Sequence, residues 1–116
     1  MKPFPLVLGV LLATPCLASA AARTQVLVIE GASNHDWESR IDILESILTR
    51  DGSFELTVSE VPQDTGSTAW ANWNPDFASY DVVLSGYSDA VGGAAWPTAA
   101  QDAFVQFVGD GGGFVA

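Results

Sequence analysis

The chain has 116 residues, with fourteen Asp and Glu against four Lys and Arg, and a net charge of −10 at neutral pH. That balance excludes a surface built for nucleic-acid phosphates, which calls for clustered basic side chains, and one built for anionic lipid. One cysteine in the whole sequence excludes a disulfide framework, and the length suits a single small core.

Residues 1–20 read as a cleaved secretory leader. Lys2 supplies a positive start, residues 6–12 are apolar apart from Gly9, and Ala18-Ser19-Ala20 has the small-x-small pattern of a processing site. The apolar run is too short to span a bilayer. Processing near Ala21 leaves residues 21–116, with no membrane span and no thiol, in a secreted or periplasmic location. Cys16 offers lipid anchoring as an alternative, but Pro15 is a poor fit to the small residue that such processing prefers.

Val26-Leu27-Val28-Ile29 is a continuous apolar run rich in β-branched residues, which suits a strand covered on both faces. Gly31 permits a tight turn. Asn34 or Asp36 is placed to cap a helix. Trp37, Ile41, Leu44 and Leu48 recur at helical spacing, and Ile43 and Ile47 widen the stripe. Asp36 and Arg40 form a favourable i,i+4 pair, and Gly52 sits where a helix-ending glycine belongs.

Phe54, Leu56 and Val58 alternate with Glu55, Thr57 and Ser59, the period of an outer strand with one wetter face. Residues 61–76 are irregular and longer than most connections, so they serve a function or hide a short helix. Asp81-Val82-Val83-Leu84 is a second buried strand. Pro97 suits the first position of a helix carrying Ala100, Phe104, Phe107 and Val108 on its apolar face. Gly111-Gly112-Gly113 then turns the chain, and Phe114-Val115-Ala116 opens a further strand, as in the front part of a longer protein.

Alternation of strands and helices predicts an α/β fold with a parallel sheet and right-handed crossovers. Two buried strands beside a half-wet one give the order 2-1-3-4. The switch point then lies between strands one and three, and a ligand would bind beyond their carboxyl ends. Residues 31–36 and 85–90 form the loops there, so His35 and Asp36 are expected to face Tyr87, Ser88 and Asp89 across one crevice.

The pieces "GASNHDW", "YDVVLSG" and "WPTAAQDAFVQFVGDGGGFVA" together resemble the ThuA-like (trehalose-utilisation) domain. His35 and Trp37 match its H-x-W after the first strand. Tyr80 and Asp81 match its Y-D before the third, and residues 101–114 match its Q…F…GGGF stretch. The resemblance implies a flavodoxin-like three-layer sandwich of the class I glutamine amidotransferase-like superfamily, with residues 21–116 as the N-terminal part of the domain. It also implies carbohydrate-related chemistry. The amidotransferase reaction of the wider fold uses a cysteine nucleophile, and the sole cysteine, Cys16, lies in the predicted leader.

The candidate residues follow. His35 is a candidate general base, polar contact to a small carbohydrate or metal ligand, the three roles to which an imidazole is suited. Asp36 is its candidate orienter, with helix capping as the plainer role. Asn34, Tyr87 and Ser88 are candidate ligand contacts. A metal site needs more ligands than one imidazole and the carboxylates of Asp36 and Asp89, so neither metal nor cofactor is expected. No G-x-G-x-x-G follows strand one, and the glycines at 111–113 follow a helix rather than precede one, so they do not form a phosphate cradle. Trp70 and Trp73 are read as packing, while Trp96 stays open between packing and a sugar platform. The alternatives to an enzyme or binder of carbohydrate are a non-catalytic module for a glycan or protein partner, and a metal-assisted hydrolase.

Overall fold

The computed structural model describes residues 22–89 and 93–116. The predicted leader, its processing site and Cys16 lie outside the described residues. The elements run β1 (Thr24–Glu30), α1 (Trp37–Leu48), β2 (Phe54–Glu60), α2 (Thr68–Ala71), β3 (Val82–Ser85), α3 (Thr98–Gly109) and β4 (Gly113–Val115), with a 3₁₀ turn at Phe77–Ser79.

The four strands form one sheet in the predicted order, β2-β1-β3-β4, and all three pairings are parallel. β1 lies between β2 and β3, so it is covered from the sides as well as the faces. Val26, Leu27, Val28, Ile29 and Glu30 are all buried. β2 is an edge strand, and Val58 is 38% exposed. The continuous and alternating apolar patterns thus mark centre and edge as expected.

Each face of the sheet carries a helix. Leu27, Ile29 and Val83 point to one face, where Ala100 and Phe107 of α3 join Val61, Trp73 and Phe77 in the core. Residues of the other parity, Val26 and Val28, point to the opposite face with Glu30, which meets Arg40 of α1. The result is a three-layer α/β sandwich. Asp81 ties its amino-terminal end together. Its carboxylate accepts from the Gln25 backbone N–H at 2.8 Å, its own N–H donates to the Gln25 carbonyl, and its carbonyl accepts from Gly113.

Several local expectations are corrected. Arg40 does not pair with Asp36 but reaches across to Glu30, because a wholly buried carboxylate requires a cation more than an exposed one does. Ile43 and Ile47 do not widen the half-buried stripe of α1; they are 58% and 56% exposed. Val108 lies off the packed face of α3. α1 ends at Leu48 with Thr49 as its cap, and Gly52 serves the following turn, with φ +76° and its N–H on the Thr49 carbonyl. Pro97 is the residue before α3 rather than its first.

Residues 61–76 hold a short helix after all. Ser67 caps α2, its hydroxyl oxygen accepting from the Trp70 N–H. Trp73 is buried and its indole N–H donates to the Ser59 hydroxyl at 3.0 Å, fastening the connection to β2. Trp70 packs against the same core. Both indoles therefore have the packing role that their composition suggested.

Candidate functional site

Gly31 leaves β1 with φ +129°, a conformation that L side chains rarely adopt, and a Cβ there would strike the Val61 carbonyl. The chain is thereby turned away from the sheet. The next residues climb to Asp36, where α1 begins. Asp36 accepts from the Ser39 N–H at 3.0 Å and from the Ser39 hydroxyl at 2.7 Å. Those bonds, the hydroxyl one foremost, hold its carboxyl below the usual carboxylate range. The Asp36 carboxylate is thus turned toward the helix it caps, and both of its oxygens are on Ser39.

On the other side of the switch point, β3 ends at Ser85. The Gly86 N–H donates to the Ile29 carbonyl at 3.0 Å, and the Ser88 N–H donates to the Ala32 carbonyl at 2.8 Å. The loops leaving β1 and β3 are therefore hydrogen-bonded neighbours at the carboxyl end of the sheet. The half-buried Tyr87 stands between two parts of its own loop. Its hydroxyl donates to the Ala94 carbonyl at 2.5 Å and accepts from the Ala94 N–H at 2.8 Å.

Beneath these loops lies a polar cluster. The Glu30 side chain is fully buried, and Arg40 grips it with two parallel bonds, Nε to Oε1 at 2.9 Å and Nη2 to Oε2 at 2.6 Å. Arg40 Nη2 also donates to the Gly86 carbonyl at 3.0 Å. A Cβ on Gly86 would land on both side chains.

Two cavities at this end share Tyr87 as a lining residue. The smaller, about 70 Å³, is lined by Ala32, Pro62, Gln63, Thr65, Tyr87, Gly93 and Ala94. The larger, about 300 Å³, is lined by Ser85, Tyr87, Asp89, Ala95, Trp96, Gln101, Phe114 and Ala116. The structure thus brings the loops of His35 and Asp36 beside those of Tyr87 and Ser88. It places Tyr87 in the walls of both cavities and His35 in neither. Asn34 and His35 are exposed, and the His35 backbone N–H is held by the Ser33 hydroxyl at 3.2 Å.

Trp96 and Gln101 are lining residues that lie beyond the strand-end loops. Trp96 and Gln101 come from the entrance to α3, and the Gln101 amide donates to the Trp96 carbonyl at 2.6 Å. Trp96 is also packed, half-buried, against the core, edge-on to Trp73 at 5.3 Å and to Phe104 at 5.5 Å. It therefore packs on the core while also lining the larger cavity. Among the described residues, no three His, Asp or Glu side chains are gathered as a metal would require, and no helix is long and apolar enough to cross a membrane.

No family model and no curated protein matches the chain. A solved structure does match: a protein described as ThuA-like, from Parabacteroides merdae ATCC 43184, with a TM-score of 0.70 and 28% sequence identity. The match covers 80% of this chain and 31% of that one, so this chain spans under a third of that protein's length. The likeness supports a ThuA-like domain with a flavodoxin-like fold.

Proposed function

We propose, on the premise of this ThuA-like fold, that the chain is the front part of an exported domain that binds or acts on a small carbohydrate at the carboxyl end of β1 and β3. The observation that carries this reading is the 300 Å³ cavity. Tyr87, Trp96 and Phe114 give it aromatic walls, and Ser85, Asp89 and Gln101 give it polar ones. A sugar ring has the matching character, with apolar C–H faces for the aromatic residues and a rim of hydroxyls for the polar ones. His35 stands on the neighbouring loop as the base or polar contact for the same ligand. Asn34 and Ser88 are further contacts. Asp36 contributes by fixing the start of α1 directly after His35.

The single imidazole of the sequence makes the test direct, since one His Cε1–H resonance belongs to His35 alone. The resonances of His35, Tyr87 and Trp96 are followed by NMR while neutral mono- and disaccharides are titrated in. Saturable shifts at all three are expected, and His35→Ala is expected to abolish those of Tyr87 and Trp96. A sugar panel that moves none of them overturns the carbohydrate reading. Sugar binding unchanged by His35→Ala removes that residue from the site.

A further inference from the structure

Glu30 closes the most buried strand of the sheet with a carboxylate that has no access to solvent. Burying a charge is costly unless it is paired and hydrogen-bonded. The pairing here is complete on the carboxylate side, with one Arg40 donor on each oxygen. Stability alone does not call for such a pair, because well-packed apolar side chains of similar volume serve as well or better. The reason for it lies in where it sits. Arg40 belongs to the helix that follows the His35 loop, Glu30 to the end of β1, and the third acceptor, the Gly86 carbonyl, to the first residue beyond β3.

We infer that Arg40 is a positioning residue: braced by Glu30 and bonded to Gly86, it sets the spacing between the loop that carries His35 and the loop that carries Tyr87 and Ser88. The functional weight of that spacing rests on the reading of this crevice as the ligand site. Three features support a fixed spacing. The guanidinium is planar and forked, so two bonds to Glu30 fix its direction as well as its place. Its third bond then fixes the height of Gly86. The close fit of Gly86 against both charged side chains leaves no slack. Immediately beyond, the Ser88 N–H to Ala32 carbonyl bond joins the loops themselves. That bond reports the spacing.

The test replaces both charges together, Glu30→Leu with Arg40→Met, so that no unpaired charge stays buried. Amide hydrogen exchange at Ser88 and the His35 Cε1–H shift are read beside the melting temperature. The expected result is a folded protein in which Ser88 exchanges about tenfold faster relative to the core amides of β1, the worth of one hydrogen bond, with a displaced His35 signal. A folded double variant with Ser88 protection and the His35 signal both unchanged overturns the inference and leaves the pair a purely structural one. Should the double variant not fold, Arg40→Lys decides. It keeps the charge but not the fork, and unaltered Ser88 protection there overturns the inference equally. These readouts need no ligand, so an unresponsive sugar panel would sink the carbohydrate reading without touching this one.

Discussion

Ser88 donates its backbone N–H to the carbonyl of Ala32 across 2.8 Å, which makes the two loops at the switch point one continuous rim. In parallel sheets such rims form where neighbouring strands lead into connections on opposite faces. Here β1 leads to α1, and β3 leads to α3 on the far side. The rim gathers Asn34, His35, Tyr87 and Ser88 at one end of the molecule, and four consequences can be measured.

Tyr87→Phe removes the hydroxyl that both donates to and accepts from Ala94. The ring is retained, so the aromatic cluster with Trp96 is kept. A loss of about 1 kcal/mol is expected, with faster amide exchange at Ala94. Denaturant melts and exchange rates check both. An Ala94 amide as protected as in the parent would show that the hydroxyl does not hold the loop.

Gly86→Ala and Gly109→Ala separate close packing from backbone freedom. A methyl on Gly86 collides with Arg40 and Glu30, and a cost of roughly 2–3 kcal/mol is expected. Gly109 ends α3 with open space where a Cβ would go. Alanine there gains about 0.5 kcal/mol by restricting the unfolded chain. Opposite shifts in melting temperature are the expected result.

Phe107→Ala empties the centre of the core face. Phe107 is 7% exposed and adjoins Phe77 and Phe104, with ring centroids 6.3 Å away in each case. Loss of the ring costs on the order of 4 kcal/mol, a large share of the stability of a domain of this size, and a correspondingly lowered melting temperature is expected. Val105→Ala, on the same helix but at a site 69% exposed, is expected to change stability by less than about 0.5 kcal/mol.

The Asp36 cap gives the molecule an acid-sensitive helix start. Its carboxyl is held below the ordinary value of 3.8, chiefly by the Ser39 hydroxyl and then by the Ser39 N–H. A depressed carboxyl stabilises the fold fully above the unfolded-chain value, and that contribution is lost as pH falls through the lower folded value. The melting temperature of Asp36→Ala is thus expected to lie below that of the parent by a constant amount at neutral pH. The gap closes as pH drops below 3.8. A gap independent of pH would show that the charge of Asp36 takes no part in the cap.

The sheet order was legible because β-branched continuity at residues 26–29 and alternation at residues 54–59 have different physical causes, burial on two faces and on one. The cap was legible to within two residues, Asn34 and Asp36, and it is Asp36, directly before the apolar stripe, that serves. Arg40 was not. Helix spacing offers Asp36 as its neighbour, and only the tertiary fold brings in a buried carboxylate with a stronger claim. A hint was present in Glu30, an acid closing an otherwise apolar strand. Trp96 stood out as an aromatic of open role, but Gln101 escaped because a rule about strand ends does not reach the entrance of a distant helix. The exposure of Ile43 and Ile47 escaped because periodicity says which side chains share a face and not how wide a partner surface lies opposite.

The parallel pairing of every strand also dictates how this chain must assemble in time. Thr24 finds Phe54, Val26 finds Val82, and Val82 finds Gly113, so among the described residues no strand meets a partner through a hairpin. Each contact waits for an entire crossover to be made, and non-local pairing of this kind is slow. Until residues 82–85 arrive, Val26-Leu27-Val28-Ile29 offers a bare adhesive ribbon to any other chain nearby. The central strand that makes the finished sheet secure is therefore the point at which a newly synthesised copy is most exposed to misassembly.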